Sequence, residues 1–195
     1  MRDGYKRPLD LAILGLAHLL LFPLWLLLWT LIPLAIWAGD RGPVLFRQVR
    51  VGKNGDLFTM LKFRTMIILA EEQTGPVWAQ RYDRRVTRVG RFLRRFRLDE
   101  MPQAINIMKG DMSLVGPRPE RPELADEFAQ IVSGFSARLR VRPGFAGLAQ
   151  VRGRYSTRPR DKLRYDNLYI EKMSPWLDVK LLLQALLVVL RGSPH

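Results

Sequence analysis

The chain has 195 residues and a formal net charge of +14, from 32 lysines and arginines and 18 acidic residues. It is long enough for one domain with a hydrophobic core, and its charge favours anionic partners: phosphorylated substrates, nucleic acid or an acidic membrane surface. The absence of cysteine excludes disulfides and thiolate metal sites. With only two histidines, His18 and His195, we do not expect histidine-based catalysis or a histidine-rich metal centre.

The first forty residues contain a long apolar run, Leu11–Ala38, without a charged side chain. About 20 apolar residues suffice for a transmembrane helix, so a single membrane anchor is one interpretation. A cleavable signal peptide fits poorly because the run is longer than its hydrophobic region. Pro23, near the middle, removes a backbone hydrogen bond and favours a break there.

Basic residues flank this run on both sides. They are Arg2, Lys6 and Arg7 before it, and Arg41, Arg47, Arg50 and Lys53 after it. Because basic flanks prefer the cytoplasmic side, a straight span would place one of them outside. We therefore expect residues 1–40 to form a re-entrant membrane helix broken at Pro23, and residues 41–195 to form a second unit.

The next segment, Gly42–Met66, is predicted to be a β-hairpin, since polar and apolar residues alternate around Asn54-Gly55, a strong turn signal. Glu71–Tyr82 lacks periodicity and predicts a mobile loop. An amphipathic helix is then expected, with four apolar residues at helical spacing on its buried face. These are Val89, Phe92, Leu93 and Phe96.

A second helix should begin at Leu98-Asp99, with Asp99 at or near its N-cap and Pro102 in its first turn. Lys109-Gly110 would end it. Its apolar spacing is carried by Met101, Ala104, Ile105 and Met108. The last helix should begin with Ser174 as cap and Pro175 at the first position; its apolar part, Leu181–Leu190, is too short to cross a bilayer and is expected to be buried or interfacial.

Two loops carry arginine beside proline and glycine. In SLVGPRPERPE, Arg118 lies between Pro117 and Pro119, so its backbone has little freedom. Such a loop can hold a phosphate with little loss of entropy, although an ordinary proline-rich turn has the same composition. Arg142–Arg154, RPGFAGLAQVRGR, has glycines that allow close backbone approach and arginines at its edges.

Asp99 and Glu100 follow eight arginines between Arg81 and Arg97. The pair could cap a helix N-terminus, which stabilises it by about 1 kcal/mol, or form local salt bridges, which contribute little when exposed. It could also be a catalytic dyad for phosphoryl chemistry. One carboxylate would attack phosphorus and the other would hold Mg²⁺, while the arginines lower the carboxylate pKa and bind a diphosphate. Capping and catalysis are compatible.

The sequence resembles the small monotopic phosphoglycosyl transferases, also called bacterial sugar transferases, from Lys6 to Leu183. The most specific blocks are LKFRTM (Leu61–Met66), RLDEMPQAINIMKGDMSLVGPRP (Arg97–Pro119) and RPGFAGLAQVRGR. The resemblance implies an α+β, membrane-associated fold with interfacial amphipathic helices and a small catalytic domain at residues 41–195 that includes the hairpin. It also implies the cytoplasmic face of the bacterial inner membrane, with anionic lipids as partners.

The activity implied by this resemblance is transfer of a sugar phosphate from a UDP-sugar to polyprenyl phosphate, usually undecaprenyl phosphate, with release of UMP. Asp99 would be the nucleophile of a covalent intermediate and Glu100 would be associated with Mg²⁺, with Asp99 as the second carboxylate of the metal site. Five residues match positions that contact phosphate or lie near the nucleotide: Lys62, Arg94, Arg118, Arg142 and Asp166. The sequence departs from the family pattern at Phe22, Ala146 and Leu148, where serine, threonine and tryptophan are frequent.

Two other functions fit parts of the sequence. A membrane-tethered nucleic-acid-binding or regulatory protein would use the arginine-rich helix Arg84–Arg97 as its contact surface. We do not expect nucleic acid to be a partner, because the aromatic residues of that helix are predicted on its buried face and no known nucleic-acid-binding module is visible. An inert membrane scaffold would leave the acidic pair and the Arg118 loop without a role.

Overall fold

The computed structural model describes residues 4–70, 83–153 and 158–190, and the predicted loop Glu71–Tyr82 lies outside the described residues. Within these ranges the fold is α+β, with helices around two small sheets of two strands each. The helices are α1 (Lys6–Leu20), α2 (Phe22–Asp40), α3 (Arg88–Arg95), α4 (Gln103–Lys109), α5 (Pro122–Ile131), α6 (Leu148–Arg152), α7 (Pro159–Lys172) and α8 (Pro175–Leu190). The strands are β1 (Leu45–Val51), β2 (Leu57–Phe63), β3 (Ser113–Val115) and β4 (Gly144–Ala146).

The apolar run folds as two helices that are interrupted at Leu21, where φ is −108° and ψ is 21°. The break therefore falls two residues before Pro23, which occupies the first turn of α2, where its missing N–H is tolerated. The ring of His18 stacks on that of Trp25 across the break, with centroids 4.3 Å apart. Among the described helices, α2 is long and apolar enough to cross a membrane by length and composition.

Both ends of this helix pair pack against the rest of the molecule. At the start of α1, the Lys6 ammonium lies 2.7 Å from the Asp178 carboxylate of α8, and both side chains are buried. At the end of α2, Ile32 and Ile36 pack with Phe63 and Leu93 in a buried cluster. The tip between them is apolar and exposed: Leu19, Leu20, Leu21 and Phe22.

The predicted β-hairpin is confirmed. β1 and β2 pair antiparallel with Leu45 opposite Phe63 and Val51 opposite Leu57. Asn54 and Gly55 both have positive φ, 58° and 92°, which explains why this dipeptide is found in the turn.

Helix α3 is present, but the predicted burial of its aromatic residues is wrong. Leu93 is 1% exposed, whereas Phe92 and Phe96 are 57% and 43% exposed. The two rings contact each other with centroids 5.0 Å apart. A helix of this length buries one narrow stripe, and Leu93 fills the contact with α2 and β2, so its aromatic neighbours lie outside.

The main core surrounds the parallel pair of β3 and β4. The backbone at Gly144 lies very close to the backbone at Gly116. A Cβ on Gly144 would lie only 1.9 Å from the Gly116 nitrogen. Glycine is therefore required there, as the composition of Arg142–Arg154 predicts. Helix α8 begins at Pro175, and the Ser174 hydroxyl accepts a hydrogen bond from the Leu177 amide at 3.2 Å, as predicted.

Candidate active site

Asp99 and Glu100, hereafter the dyad, lie in a 3₁₀ turn, Leu98–Glu100, that precedes α4. The prediction that Asp99 caps the helix is wrong: α4 begins at Gln103 with Pro102 before it and no side-chain cap. Arg97 has left-handed backbone geometry, φ 53° and ψ 23°, which is uncommon for a residue other than glycine and is often found at functional sites. In a turn of three residues, adjacent side chains point about 120° apart.

The face of α4 also differs from the prediction. Gln103, Ala104, Asn106 and Ile107 are buried, whereas Met108 is 49% exposed. The Asn106 side chain bonds the edge of β2, accepting from the Leu61 amide at 3.0 Å and donating to the Thr59 carbonyl at 2.7 Å. These bonds fix α4, and therefore the dyad that precedes it, against the strand that carries Lys62.

Glu100 is 5% exposed and is contacted by two cations. Lys62 Nζ lies 2.9 Å and Arg118 Nη2 lies 2.7 Å from the same oxygen, Oε1. Burial opposes the charged form of Glu100, but the charges of Arg118 and Lys62 outweigh it and hold its pKa well below its usual range. Sequence analysis named all three residues, and the structure brings them together.

Asp99 has the opposite pKa shift. It is 9% exposed, and burial, reinforced by the charge of Glu100, raises its pKa against the opposing effects of Lys62, Arg94 and Arg118. The arginines were expected to lower the carboxylate pKa, and the net shift is downward for Glu100 but upward for Asp99, where burial outweighs their charge. The dyad therefore combines Glu100, which is held in its charged form, with Asp99, whose charged form is poorly stabilised.

Arg94 reaches this region from α3. Its Nε donates to the Thr65 hydroxyl at 2.9 Å, and its charge acts on Asp99. The approach depends on Gly90, because a Cβ there would lie 2.0 Å from the Thr65 carbonyl oxygen. Thr65 was not singled out from the sequence, although it belongs to the LKFRTM block.

Arg142 and Asp166 are placed differently from the other predicted residues. In the described ranges, the Arg142 guanidinium makes no hydrogen bond or ion pair with the dyad, and its carbonyl oxygen lies against Gly116. Asp166 is 2% exposed and its carboxylate is bonded to Arg138 at 2.8 Å. Sequence reasoning missed Arg138, which resembles any other arginine in so basic a chain.

The donor set of the dyad is compatible with Mg²⁺. Among the described residues, no group of three or more His, Cys, Asp or Glu side chains could hold a metal. Mg²⁺ commonly binds through one or two carboxylates together with substrate phosphates, and Asp99 and Glu100 supply two. Both cations contact Glu100 through the same oxygen, Oε1.

The opposite pKa shifts predict opposite effects on stability. The raised pKa of Asp99 means that its ionised form destabilises the fold at neutral pH, so Asp99→Asn should unfold at the same temperature as the wild type or higher. Glu100, with a depressed pKa, stabilises the fold above about pH 4.3, its unfolded value. That contribution is lost as the pH falls through the folded pKa.

Glu100→Gln should therefore lower the free energy of unfolding by about 2 kcal/mol at pH 7, because two cations lose their anion. The difference from the wild type should shrink only below about pH 4.3. Thermal unfolding of both variants and of the wild type from pH 7 down to about pH 2 measures this. Equal destabilisation by Asp99→Asn and Glu100→Gln would contradict the opposite pKa shifts of the two carboxylates.

The sequence was compared with known proteins. The family model described as bacterial sugar transferase matches residues 1–192. A UDP-N-acetylgalactosamine-undecaprenyl-phosphate N-acetylgalactosaminephosphotransferase of Aeromonas hydrophila is 42% identical over 190 residues, which are 96% of this chain and 44% of that protein. UDP-glucose:undecaprenyl-phosphate glucose-1-phosphate transferases of Klebsiella pneumoniae and Caulobacter vibrioides are 39% and 44% identical over 91% and 93% of this chain.

The chain spans less than half of the Aeromonas and Klebsiella proteins, 44% and 38%, and 68% of the Caulobacter protein. The match therefore concerns the part of those proteins that this chain covers. The family match extends over residues 1–192, a range that includes every site residue named above. The chain belongs to the bacterial sugar transferase family.

Proposed function

We propose that the protein transfers a sugar phosphate from a UDP-sugar to polyprenyl phosphate, with undecaprenyl phosphate as the natural acceptor. The observation that carries the proposal is the buried dyad, in which Lys62 and Arg118 hold Glu100 while Asp99 is left with a raised pKa. The names of the relatives given above support the two substrates. Because these names include both N-acetylgalactosamine and glucose, the sugar is left open.

The proposed chemistry has two displacements at phosphorus. The Asp99 carboxylate attacks the phosphorus that carries the sugar, the bond to the bridging oxygen breaks, and UMP leaves with that oxygen. The phosphate of the polyprenyl acceptor then attacks the same phosphorus, which releases Asp99 and yields a polyprenyl diphosphate sugar. A weakly solvated carboxylate is a better nucleophile than an exposed one, which fits the burial of Asp99.

Arg118 and Lys62 would bind the diphosphate. The Arg118 side chain is 37% exposed, so its remaining N–H groups can donate to phosphate oxygens. Mg²⁺, held by Glu100 and Asp99, would shield the charge of the phosphate oxygens. Arg94 is proposed to add positive charge beside Asp99.

We further propose that α1 and α2 form a re-entrant hairpin in the cytoplasmic leaflet of the bacterial inner membrane. Both ends of the pair pack on one body, and the tip between them is exposed and apolar. The exposed Phe92 and Phe96 lie among arginines, a composition suited to an interface with anionic lipids.

Cysteine labelling tests this topology, since the chain has no cysteine of its own. In intact cells, Arg2→Cys and Arg47→Cys should both resist a membrane-impermeant thiol reagent, and both should react after permeabilisation. Labelling of Arg2→Cys from the periplasmic side would overturn the re-entrant arrangement in favour of a straight span.

A panel of UDP-sugars, scored by UMP release with undecaprenyl phosphate as acceptor, tests the activity itself. We expect release with at least one sugar. No release with any of them, together with steeply salt-dependent affinity for nucleic acid, would favour the nucleic-acid-binding alternative.

A further inference from the structure

The loop that carries Arg118 is held by its main-chain carbonyl groups. Four consecutive carbonyls, of residues 117 to 120, each accept a hydrogen bond from a different residue. Pro117 accepts from the Gly144 amide at 2.9 Å, Arg118 from Arg138 Nη2 at 2.7 Å, Pro119 from Arg50 Nη1 at 3.0 Å, and Glu120 from the Val51 amide at 3.0 Å. Buried carbonyls are nearly always paired, and here all four donors lie outside the segment.

The loop borders a cavity of about 420 Å³ that lies against all four residues. On the protein side, the four carbonyl bonds attach the loop to its neighbours. Pro117 and Pro119 restrict φ and have no N–H to donate. The direction of the Arg118 side chain therefore depends on the donors that hold the loop.

Of the four donors, Arg138 is the one that bonds Arg118 itself, through the Arg118 main-chain carbonyl. It is 4% exposed, and its guanidinium also contacts Asp166 Oδ2 at 2.8 Å and Glu120 Oε1 at 3.5 Å. A buried guanidinium with this many partners has one orientation. Lys162 adds a second cation to Glu120 at 3.0 Å.

We propose that Arg138 is a positioning residue for Arg118, and that Asp166 acts by orienting Arg138. Arg138 fixes the carbonyl of Arg118, so the Arg118 guanidinium stays beside Glu100, where it meets the diphosphate. Asp166 then acts on the site indirectly, because it orients Arg138 and Arg138 positions Arg118. Asp166 itself does not contact the nucleotide. This inference rests on the proposed function, because it assigns Arg118 to the binding of the UDP-sugar.

Steady-state kinetics of Arg138→Gln test the proposal. Because small displacements of a binding group are costly, kcat/KM for the UDP-sugar should fall by about 10- to 100-fold. Arg138→Lys should recover part of the loss, since an ammonium keeps the charge but cannot contact all three partners. The matched control is Arg140→Gln, two residues away on the same 3₁₀ helix, Phe135–Arg140. Arg140 is exposed and bonds only the nearby Ala137 carbonyl in the described part of the chain.

A double-mutant cycle separates positioning from general stability. Arg118→Ala already removes the side chain that Arg138 positions. Adding Arg138→Gln to Arg118→Ala should therefore lower kcat/KM by less than about a further threefold. Additive losses would show a purely structural role and overturn the proposal. If Arg138→Gln does not fold, Asp166→Asn takes its place in the cycle, because it preserves both side-chain volume and Arg138.

The controls also distinguish this inference from the proposed function. If the wild type releases UMP and Arg118→Ala is impaired while Arg138→Gln matches Arg140→Gln, the positioning role fails alone. If the wild type releases no UMP from any UDP-sugar, the proposed function fails and the positioning role fails with it.

Discussion

Asp99→Asn is expected to lower turnover by about a thousandfold or more, since it removes the proposed nucleophile. The substitution preserves shape, and in the described ranges the Asp99 carboxylate accepts no hydrogen bond that asparagine would lose. The fold should therefore survive, and the removal of a poorly stabilised charge should not lower the unfolding temperature.

UMP release with undecaprenyl phosphate as acceptor measures this effect. The control is Asp161→Asn, an exposed carboxylate in the first turn of α7, which should keep wild-type activity. Substantial turnover by a folded Asp99→Asn protein would show that another group attacks phosphorus.

The second large effect is expected from Arg118→Lys. Arg118 donates to Glu100 at 2.7 Å and is more exposed than Lys62, 37% against 18%, so its planar fork can hold Glu100 and phosphate oxygens together. A lysine ammonium cannot reproduce that geometry. We expect kcat/KM for the UDP-sugar to fall by about a hundredfold, with an increase in KM.

Arg47→Lys provides the matched control, because Arg47 is an exposed arginine of β1. Its kinetics should equal those of the wild type. If Arg118→Lys kept wild-type kcat/KM, charge alone would suffice at this position, and the role proposed for the planar guanidinium of Arg118 would be wrong.

Local patterns predicted the elements whose signals are local. Asn54 and Gly55 have the positive φ angles that a tight turn needs, and Ser174-Pro175 marks the start of α8. Pro23 indicated a helix break, but its position shifted to Leu21 because proline fits within the first turn of the following helix.

Features that depend on tertiary packing were not predictable in this way. The spacing of Phe92, Leu93 and Phe96 could not reveal that, of these three, Leu93 alone is buried. Asp99 was expected to cap a helix, yet the left-handed Arg97 and the following Pro102 produce a 3₁₀ turn. The opposite pKa shifts of Asp99 and Glu100 arise from burial and from which carboxylate the cations reach.

The candidate site likewise contains residues that have a local sequence signal and one whose importance depends on tertiary contacts. Lys62, Arg94 and Arg118 were named from motif positions, and the structure places them around the dyad. Arg138 has no local signal, because its importance comes from contacts with Asp166 and the Arg118 carbonyl, 28 and 20 residues away in sequence.

The central claim is a covalent intermediate on Asp99, and incubation with a UDP-sugar radiolabelled in the sugar tests it most directly. Without acceptor, label should remain on the protein in the peptide that contains Asp99, with UMP released in equal amount, and undecaprenyl phosphate should then discharge it. Asp99→Asn should take up no label. Turnover that requires both substrates together and leaves no labelled protein, or label on a different residue, would contradict the account.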